Sequence, residues 1–387
     1  MALPNVNITV NRSGLGLVSF TNDGIMGIVL DGEAVIGKLE LNKPYVVYSL
    51  SDAENIGITE DDNAIAYKQV NEFYKEAGNG AKLWLIVTDN TLMSASVIGT
   101  ANAVRTMVET AKGEISLVGL TAGNTQSNVV VDGLNEDVFV ALSEAQILAN
   151  EYQSKIMPFS VLVAGIGFSG DENTVKDFAT TNYHRCSVLL AASEDDKVAS
   201  VGQYLGRLAA IPVQRKASRV KDGALFNLDG YLTDGLPVSN RTGALNVLHD
   251  KHYIVYRTFP GKSGFYYSGD PTATANTDDL CTIARNRIID KVLKITYNTY
   301  VEELDDDVPM TDDGKLAPAV VGYLKSKIEL QVNSQTVDEI SNFTALIDDN
   351  QNILSGMPLE IELQITPKGY LSPINVKIGF INPFLKQ

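Results

Sequence analysis

Residues 64–87 read AIAYKQVNEFYKEAGNGAKLWLIV, and this stretch decides the fold class. Over residues 64–77 the apolar positions recur at helical spacing. Gly78-Asn79-Gly80 then stops the helix, because glycine accepts the backbone conformations that end one. Residues 82–87 follow as an apolar run, the pattern of a buried strand. A helix that feeds a buried strand is the repeating element of a mostly parallel sheet covered on its faces.

The same element recurs on both sides. Residues 45–50, 115–120, 159–166 and 186–192 read as strands, and residues 97–111, 135–153, 173–181 and 195–210 as helices. Residues 213–245 are rich in Gly, Asp and Asn and lack periodicity, as a connection does. A second region follows, with strands at 253–257 and 264–268 and a long helix over 279–303. Asn276, Thr277, Asp278 and Asp279 at its start suit a cap and the positive helix end. Asp305, Asp306, Asp307, Asp312 and Asp313 form an acidic loop, and Pro318 opens a helix reaching residue 327. The expected class is therefore α/β with a mostly parallel sheet, followed by an α+β part.

Both ends of the chain are strand-like. Leu359, Ile361, Leu363 and Ile365 alternate with polar residues, as do Ile374, Val376, Ile378 and Phe380 near one end and Val6, Ile8 and Val10 near the other. Strict period-two alternation marks a strand with one buried face. Such a strand at a terminus either completes a sheet of its own domain or adds to a sheet of a neighbour. Seven extended residues reach about 23 Å, enough to cross to an adjacent molecule.

The 387 residues suggest two to three domains, and 44% hydrophobic content supports full cores. A net charge of −16 argues against nucleic acid or an anionic membrane as partner. Subunits of one sign that pack together must set basic patches against acidic ones. Cys186 and Cys281 read as two buried thiols, with a single disulfide as the alternative. The opening residues lack the basic start and apolar core of a signal peptide, and the longest apolar run, near 159–168, is too short to span a bilayer. No membrane insertion is expected, and the protein is expected to be made and kept in a bacterial cytoplasm.

Several motifs carry chemistry in other contexts. Gly165-Ile166-Gly167-Phe168-Ser169-Gly170 follows a strand and precedes an expected helix, with Glu194 at the end of the next strand, which fits a dinucleotide fingerprint. Asp171 and Glu172 would occupy the helix end that a pyrophosphate needs, so a tight turn is the better reading. Gly261-Lys262-Ser263 lacks the earlier glycine of a phosphate loop and reads as an exposed turn. His249 and His252 read as a solvated pair, and His184 with Cys186 lacks an orienting acid. No catalytic, cofactor-binding or metal-ligating residue is therefore assigned. The long helix differs in kind. Arg285, Arg287, Lys291 and Lys294 oppose only Asp290, and Ile283, Ile288, Val292 and Ile295 supply packing positions. It is either a solvated face or a basic surface that docks an acidic partner.

Three segments in this order resemble contractile tail sheath proteins, which surround the tube of contractile phages, phage-tail-like bacteriocins and related injection systems. The first is residues 45–57, YVVYSLSDAENIG, with the helix 66–80 and strand 83–87 that follow. The second is IVYRTFPGKSGFYYSGDPT at 254–272, leading into Ala284-Arg285-Asn286-Arg287-Ile288-Ile289-Asp290. The third is the terminal pair of strands ending Lys377-Ile378-Gly379-Phe380-Ile381-Asn382-Pro383. Where that family commonly carries Arg-Val after the strand at 83–87, this chain has Val87-Thr88-Asp89. The resemblance implies a structural subunit and no enzyme. It implies an N-terminal arm at 1–20, an outer α/β domain at 21–240, an inner α+β domain at 241–369 and a C-terminal strand arm at 370–387. The arms, through Val6, Ile8, Val10, Ile374, Val376, Ile378 and Phe380, would add strands to neighbouring copies and knit hexameric rings into a contractile helical sheath. The helix bearing Arg285, Arg287, Lys291 and Lys294 would face an inner tube, with baseplate and terminal cap proteins as further partners. Assembly would occur in the cytoplasm and the product would belong to a virion tail or contractile particle, driving the tube through a target envelope. The competing expectation is a nucleotide- or NAD-binding enzyme of doubly wound fold.

Overall fold

The computed structural model describes residues 22–89, 92–99, 102–122, 129–351, 353–355 and 357–381. The chain divides into two compact units, Met1–Asn298 and Thr299–Gln387.

The first unit is built on a seven-stranded sheet. Its strands are β1 (Met26–Asp31), β2 (Pro44–Val47), β3 (Leu83–Thr88), β4 (Leu117–Leu120), β5 (Ser160–Ala164), β6 (Cys186–Leu189) and β7 (Tyr253–Ile254). They lie in the order β7-β6-β5-β4-β1-β3-β2. All neighbours pair in parallel except β2 with β3. The helices are α1 (Leu50–Asn55), α2 (Ala64–Ala77), α3 (Ala103–Thr110), α4 (Glu136–Ser154), α5 (Val201–Ala209), α6 (Thr242–Asp250) and α7 (Ile283–Tyr300).

Register explains why the strands are apolar throughout. Gly27, Val118, Val161 and Cys186 share one row across β1, β4, β5 and β6, and Ile28, Gly119, Leu162 and Ser187 share the next. The first row faces α3 and α4. A Cβ at Gly27 would sit 2.8 Å from the Met107 side chain, and the Cys186 thiol donates to Leu142 O at 3.6 Å. The second row faces α5, since a Cβ at Gly119 would meet Val201 and Leu205. A parallel sheet covered on both faces buries every side chain, so alternation disappears.

Helix α2 begins and ends at the residues its periodicity marks, with Gly78 at the cap. Helix α3 starts at Ala103, later than expected, because Asn102 Oδ1 accepts from Arg105 N at 2.7 Å and makes the cap. Helix α5 starts at Val201, after a turn in which Lys197 takes a positive φ of 65°. The helix expected at 173–181 is absent and a single 3₁₀ turn, Phe178–Thr180, stands in its place. Asp171 Oδ1 accepts from Asn173 N at 3.0 Å and Asp177 Oδ1 from Ala179 N at 2.9 Å. Lys251 Nζ binds the carbonyls of Glu172, Asn173 and Val175. These local bonds replace the helical ladder. The first unit takes α6, β7 and most of α7 from beyond residue 240.

The second unit packs α8 (Pro318–Gln335) on an antiparallel pair, β8 (Ile340–Leu346) and β9 (Glu362–Pro367). Val320, Leu324, Ile328 and Val332 form its buried stripe, with Val320 and Leu324 packed beside Leu316, and Phe343 and Ala345 are buried on β8. Glu329 Oε1 accepts from Ala345 N at 3.1 Å and ties the helix to the strand. Residues 374–380 are in no ladder, so the partner of β9 is β8, a strand the alternation at 359–365 did not reveal.

Candidate assembly surfaces

Helix α7 is held in the first unit from its first turn. Asp270, distant in sequence, accepts from Ile283 N through its carbonyl (2.9 Å) and from Ala284 N through its carboxylate (3.2 Å). Thr282 Oγ1 accepts from Arg285 N at 3.3 Å. Asp270 and Thr282, rather than Asp278 and Asp279, therefore cap the helix. Halfway along, Asp290 pairs at 2.6 Å with Arg185, which enters β6 and has no exposed surface. Burial raises the Asp290 pKa, and the adjacent guanidinium opposes that rise.

The four basic residues of α7 fall in different places. Arg285 is half-buried and its Nη1 lies 3.4 Å from both Asp279 O and Cys281 Sγ. Arg287 is buried and donates to Asp23 O and Ile211 O, each at 3.3 Å. Lys291 Nζ pairs with Asp23 Oδ2 at 2.7 Å, and Lys294 Nζ donates to Gly113 O at 2.7 Å. The helix is thus not a solvated face: Arg287, Lys291 and Lys294 engage the segments that lead into β1 and β4. Burial lowers the Lys294 pKa, partly offset by Asp290, Asp23 and Glu114.

These contacts line a cleft of about 490 Å³ between α7, the Lys112–Ser116 segment before β4 and the Lys155–Met157 segment before β5. It lies where the parallel strands begin. Open α/β sheets bind cofactors at the opposite edge, where strands end. Two of its cations, Lys112 and Lys155, were not recognised from sequence. Their only signal is a position just after a helix, where a cation suits the negative helix end.

At the other edge, the turn 165–170 opens no helix. A Cβ at Gly165 would lie 2.6 Å from Leu190, and Gly167 and Gly170 take positive φ angles of 67° and 83°. The glycines serve close packing and turns, and the fingerprint loses the helix end that holds a pyrophosphate. Cys186 and Cys281 are both free and buried, and burial drives the Cys186 pKa upward, away from a thiolate. His252 is buried, with Thr272 O and Asn276 Oδ1 at 3.0 and 3.1 Å, so the 249/252 pair is not solvated. Among the described residues no group of three or more His, Cys, Asp or Glu could hold a metal, and no helix is long and apolar enough to cross a membrane.

Glu72 of α2 is a strongly perturbed carboxyl lining an open depression with Lys68 and Ser193. It accepts from Ser193 Oγ and from Ser200 Oγ (3.3 Å), and burial pushes its pKa up to about 7 against the pull of Lys68. Its partners are hydroxyls that bind α2 to the segment after β6, which is a structural arrangement. A folded-state pKa above the unfolded value means stability present in full below pH 4.5 and lost as pH rises through 7. Glu72→Gln should therefore stabilise the protein by about 2–3 kcal/mol at pH 8 and leave it nearly unchanged at pH 4. Thermal melts of both proteins at the two pH values check this, and an equal effect at both would contradict it.

The arm residues divide. Val6, Ile8 and Val10 lie outside the described residues. Ile374, Val376, Ile378 and Phe380 lie in no helix or strand, where the alternation predicts one, and are exposed, from 68% at Ile374 to complete exposure at Phe380. The β8–β9 pair carries no third strand among the described residues.

The family model described as DUF2586, N-terminal domain, matches residues 3–270, and its C-terminal counterpart matches residues 279–385. The chain belongs to the DUF2586 family. No curated protein matches the sequence. Among solved structures, this DUF2586 chain resembles a chain of the anti-feeding prophage helical sheath in its contracted state. The TM-score is 0.65 at 11% identity, covering 98% of this chain and 99% of that one. It also resembles a chain of the anti-feeding prophage baseplate (TM-score 0.64, 12% identity, 99% and 100% covered). A third likeness is to the PVC sheath complex of an extracellular contractile injection system, in its contracted state (0.60, 12%, 98% of each chain). The DUF2586 chain thus has the mixed α/β fold of contractile sheath proteins, with a mostly parallel central sheet, over nearly its whole length. The sheath resemblance read from the sequence holds at the level of fold.

Proposed function

We propose that this chain is a non-enzymatic structural subunit of a contractile sheath. The observation that carries the reading is a sheath fold over nearly the whole chain, whose alternating apolar segment, 374–380, is uncovered in the single chain. Four such side chains, buried in a neighbour, would contribute about 6 kcal/mol or more before ordering costs. The unpaired edge of the β8–β9 sheet is a matching acceptor, because an added strand gains main-chain hydrogen bonds while alternate side chains fill one face.

In this reading residues 1–20 and 370–387 are arms, 21–240 form the outer domain and 241–369 the inner one. The arms knit hexameric rings into a helical sheath around a tube. Strand pairing tolerates tilting, so the mesh persists while subunits rearrange during contraction. Helix α7 faces the tube, through Arg285. Baseplate and terminal cap proteins bind the ends, and assembly takes place in a bacterial cytoplasm before the particle drives its tube through a target envelope.

Negative-stain microscopy of the purified chain tests this. Full-length protein should form hollow tubes, and chains lacking residues 1–20 or 370–387 should stay folded by circular dichroism yet form none. Truncated chains that still polymerise normally would sink the arm assignment, and a full-length chain that never polymerises would sink the sheath reading.

A further inference from the structure

The cleft beside α7 has a charge that the protein as a whole lacks. Five cationic side chains line it, against Asp23, Glu114 and Asp290. Those three carboxylates are already engaged: Asp23 with Lys291, Glu114 with Lys82 and the Trp84 indole N–H, and Asp290 with Arg185. Lys112 is exposed on the rim, Lys155 is partly exposed and pairs at 2.8 Å with Glu151, which Arg105 also holds, and Lys294 is half-buried deeper in. Low-dielectric walls focus the field of such charges onto the space between them.

The strongest complement in the sequence is residues 302–313, EELDDDVPMTDD, with seven carboxylates and no cation. Glu303 is held by Lys327 and Tyr323, and Asp313 lies 3.8 Å from Lys315. Asp305, Asp306, Asp307 and Asp312 are exposed and make no ion pair among the described residues. None of the residues outside the described ranges is acidic, so the terminal arms cannot supply this charge.

We infer that the cleft is a docking site for the acidic segment 302–313 of a second copy of this chain. The contact would set this basic cleft against the most acidic segment, where a net charge of −16 otherwise makes copies repel. An entering carboxylate also offsets the burial that lowers the Lys294 pKa. The inference rests on the self-assembly reading only in that copies meet.

A fluorescent peptide spanning residues 302–313, titrated into the full-length chain, tests the docking without requiring polymers. It should bind, lose at least tenfold in affinity on K112E/K155E, and lose a similar amount between 50 mM and 1 M salt, where the Debye length falls to about 3 Å. A peptide that fails to bind, or binds both proteins alike, overturns the inference. In assembly, K112E/K155E and D305K/D306K/D307K should each impair polymerisation, and an equimolar mixture of the two should restore it. Failure of the mixture, with recovery when all five changes share one chain, would place the contact within a single copy and overturn the inference too. A wild-type chain that binds the peptide but never polymerises would remove the sheath reading and leave the docking intact.

Discussion

Gly202→Leu should abolish folding. Helices α2 and α5 touch backbone to backbone at Gly202 and Gly206. A Cβ at Gly202 would lie 1.9 Å from the Gln69 carbonyl oxygen, and one at Gly206 would lie 2.4 Å from the Phe73 carbonyl oxygen. Neither obstacle is a side chain that can swing aside. The helices are also bonded at this point, since Gln69 Nε2 donates to Ala199 O (2.9 Å) and Gly202 N donates to Gln69 Oε1 (2.7 Å). A side chain here must part the helices, break both bonds and open a gap along Val70, Phe73 and Leu205, all fully buried. Overpacking alone costs about 1–3 kcal/mol and a leucine-sized gap a further 2–5 kcal/mol, which reaches the total stability of a domain. Even Gly202→Ala should lower stability by about 3 kcal/mol. Gly322→Ala is the control: it lies within α8 with nothing inside 4 Å of its Cβ, and it should stabilise by about 0.5–1 kcal/mol. Urea unfolding of the three variants measures this, and a Gly202→Ala protein as stable as wild type would show that the helices can separate freely.

Asp290→Ala is expected to be the costliest charge deletion. Arg185 is wholly buried, its Nη1 meets Asp290 at 2.6 Å, and its Nε and Nη2 have no partner among the described residues. Removing the carboxylate strands a guanidinium that cannot lose its proton, and breaking a buried pair in this way costs about 3–5 kcal/mol. Arg185→Met should cost less, because Asp290 can neutralise itself by binding a proton. Burial has already raised its pKa. With the cation gone, the folded pKa rises further above the unfolded one, so the penalty of Arg185→Met should be small in acid and grow as pH rises. The double change R185M/D290L should return most of the stability, since a well-packed apolar pair often equals a buried ion pair. Unfolding curves at pH 5 and pH 8 decide it, and equal costs for both single changes would contradict the buried-charge account.

How much of this was legible beforehand follows from the range of each interaction. The span of α2 was readable to the residue because period, stop signal and cap all lie within residues 64–78. The α/β class was readable for the same reason, since most of its helices and strands announce themselves over a few residues, although β1, α6 and β8 did not. Residues 173–181 misled because Asp171, Asn173 and Asp177 make turn bonds that compete locally with a helix, and Lys251 from another element completes them. The basic character of α7 was visible, but not that Arg287 turns into the unit toward Asp23 and Ile211. Those acceptors are more than 70 residues away in sequence.

Periodicity therefore established the class of fold, the apolar strands and the alternation at 374–380, because each is a property of neighbours along the chain. The order of the seven strands, the backbone contact at Gly202, the Arg185–Asp290 pair and the cleft at the strand-entry edge were set only by the tertiary structure. Each joins residues with no local relation, and long-range packing, not pattern, decides which of them meet.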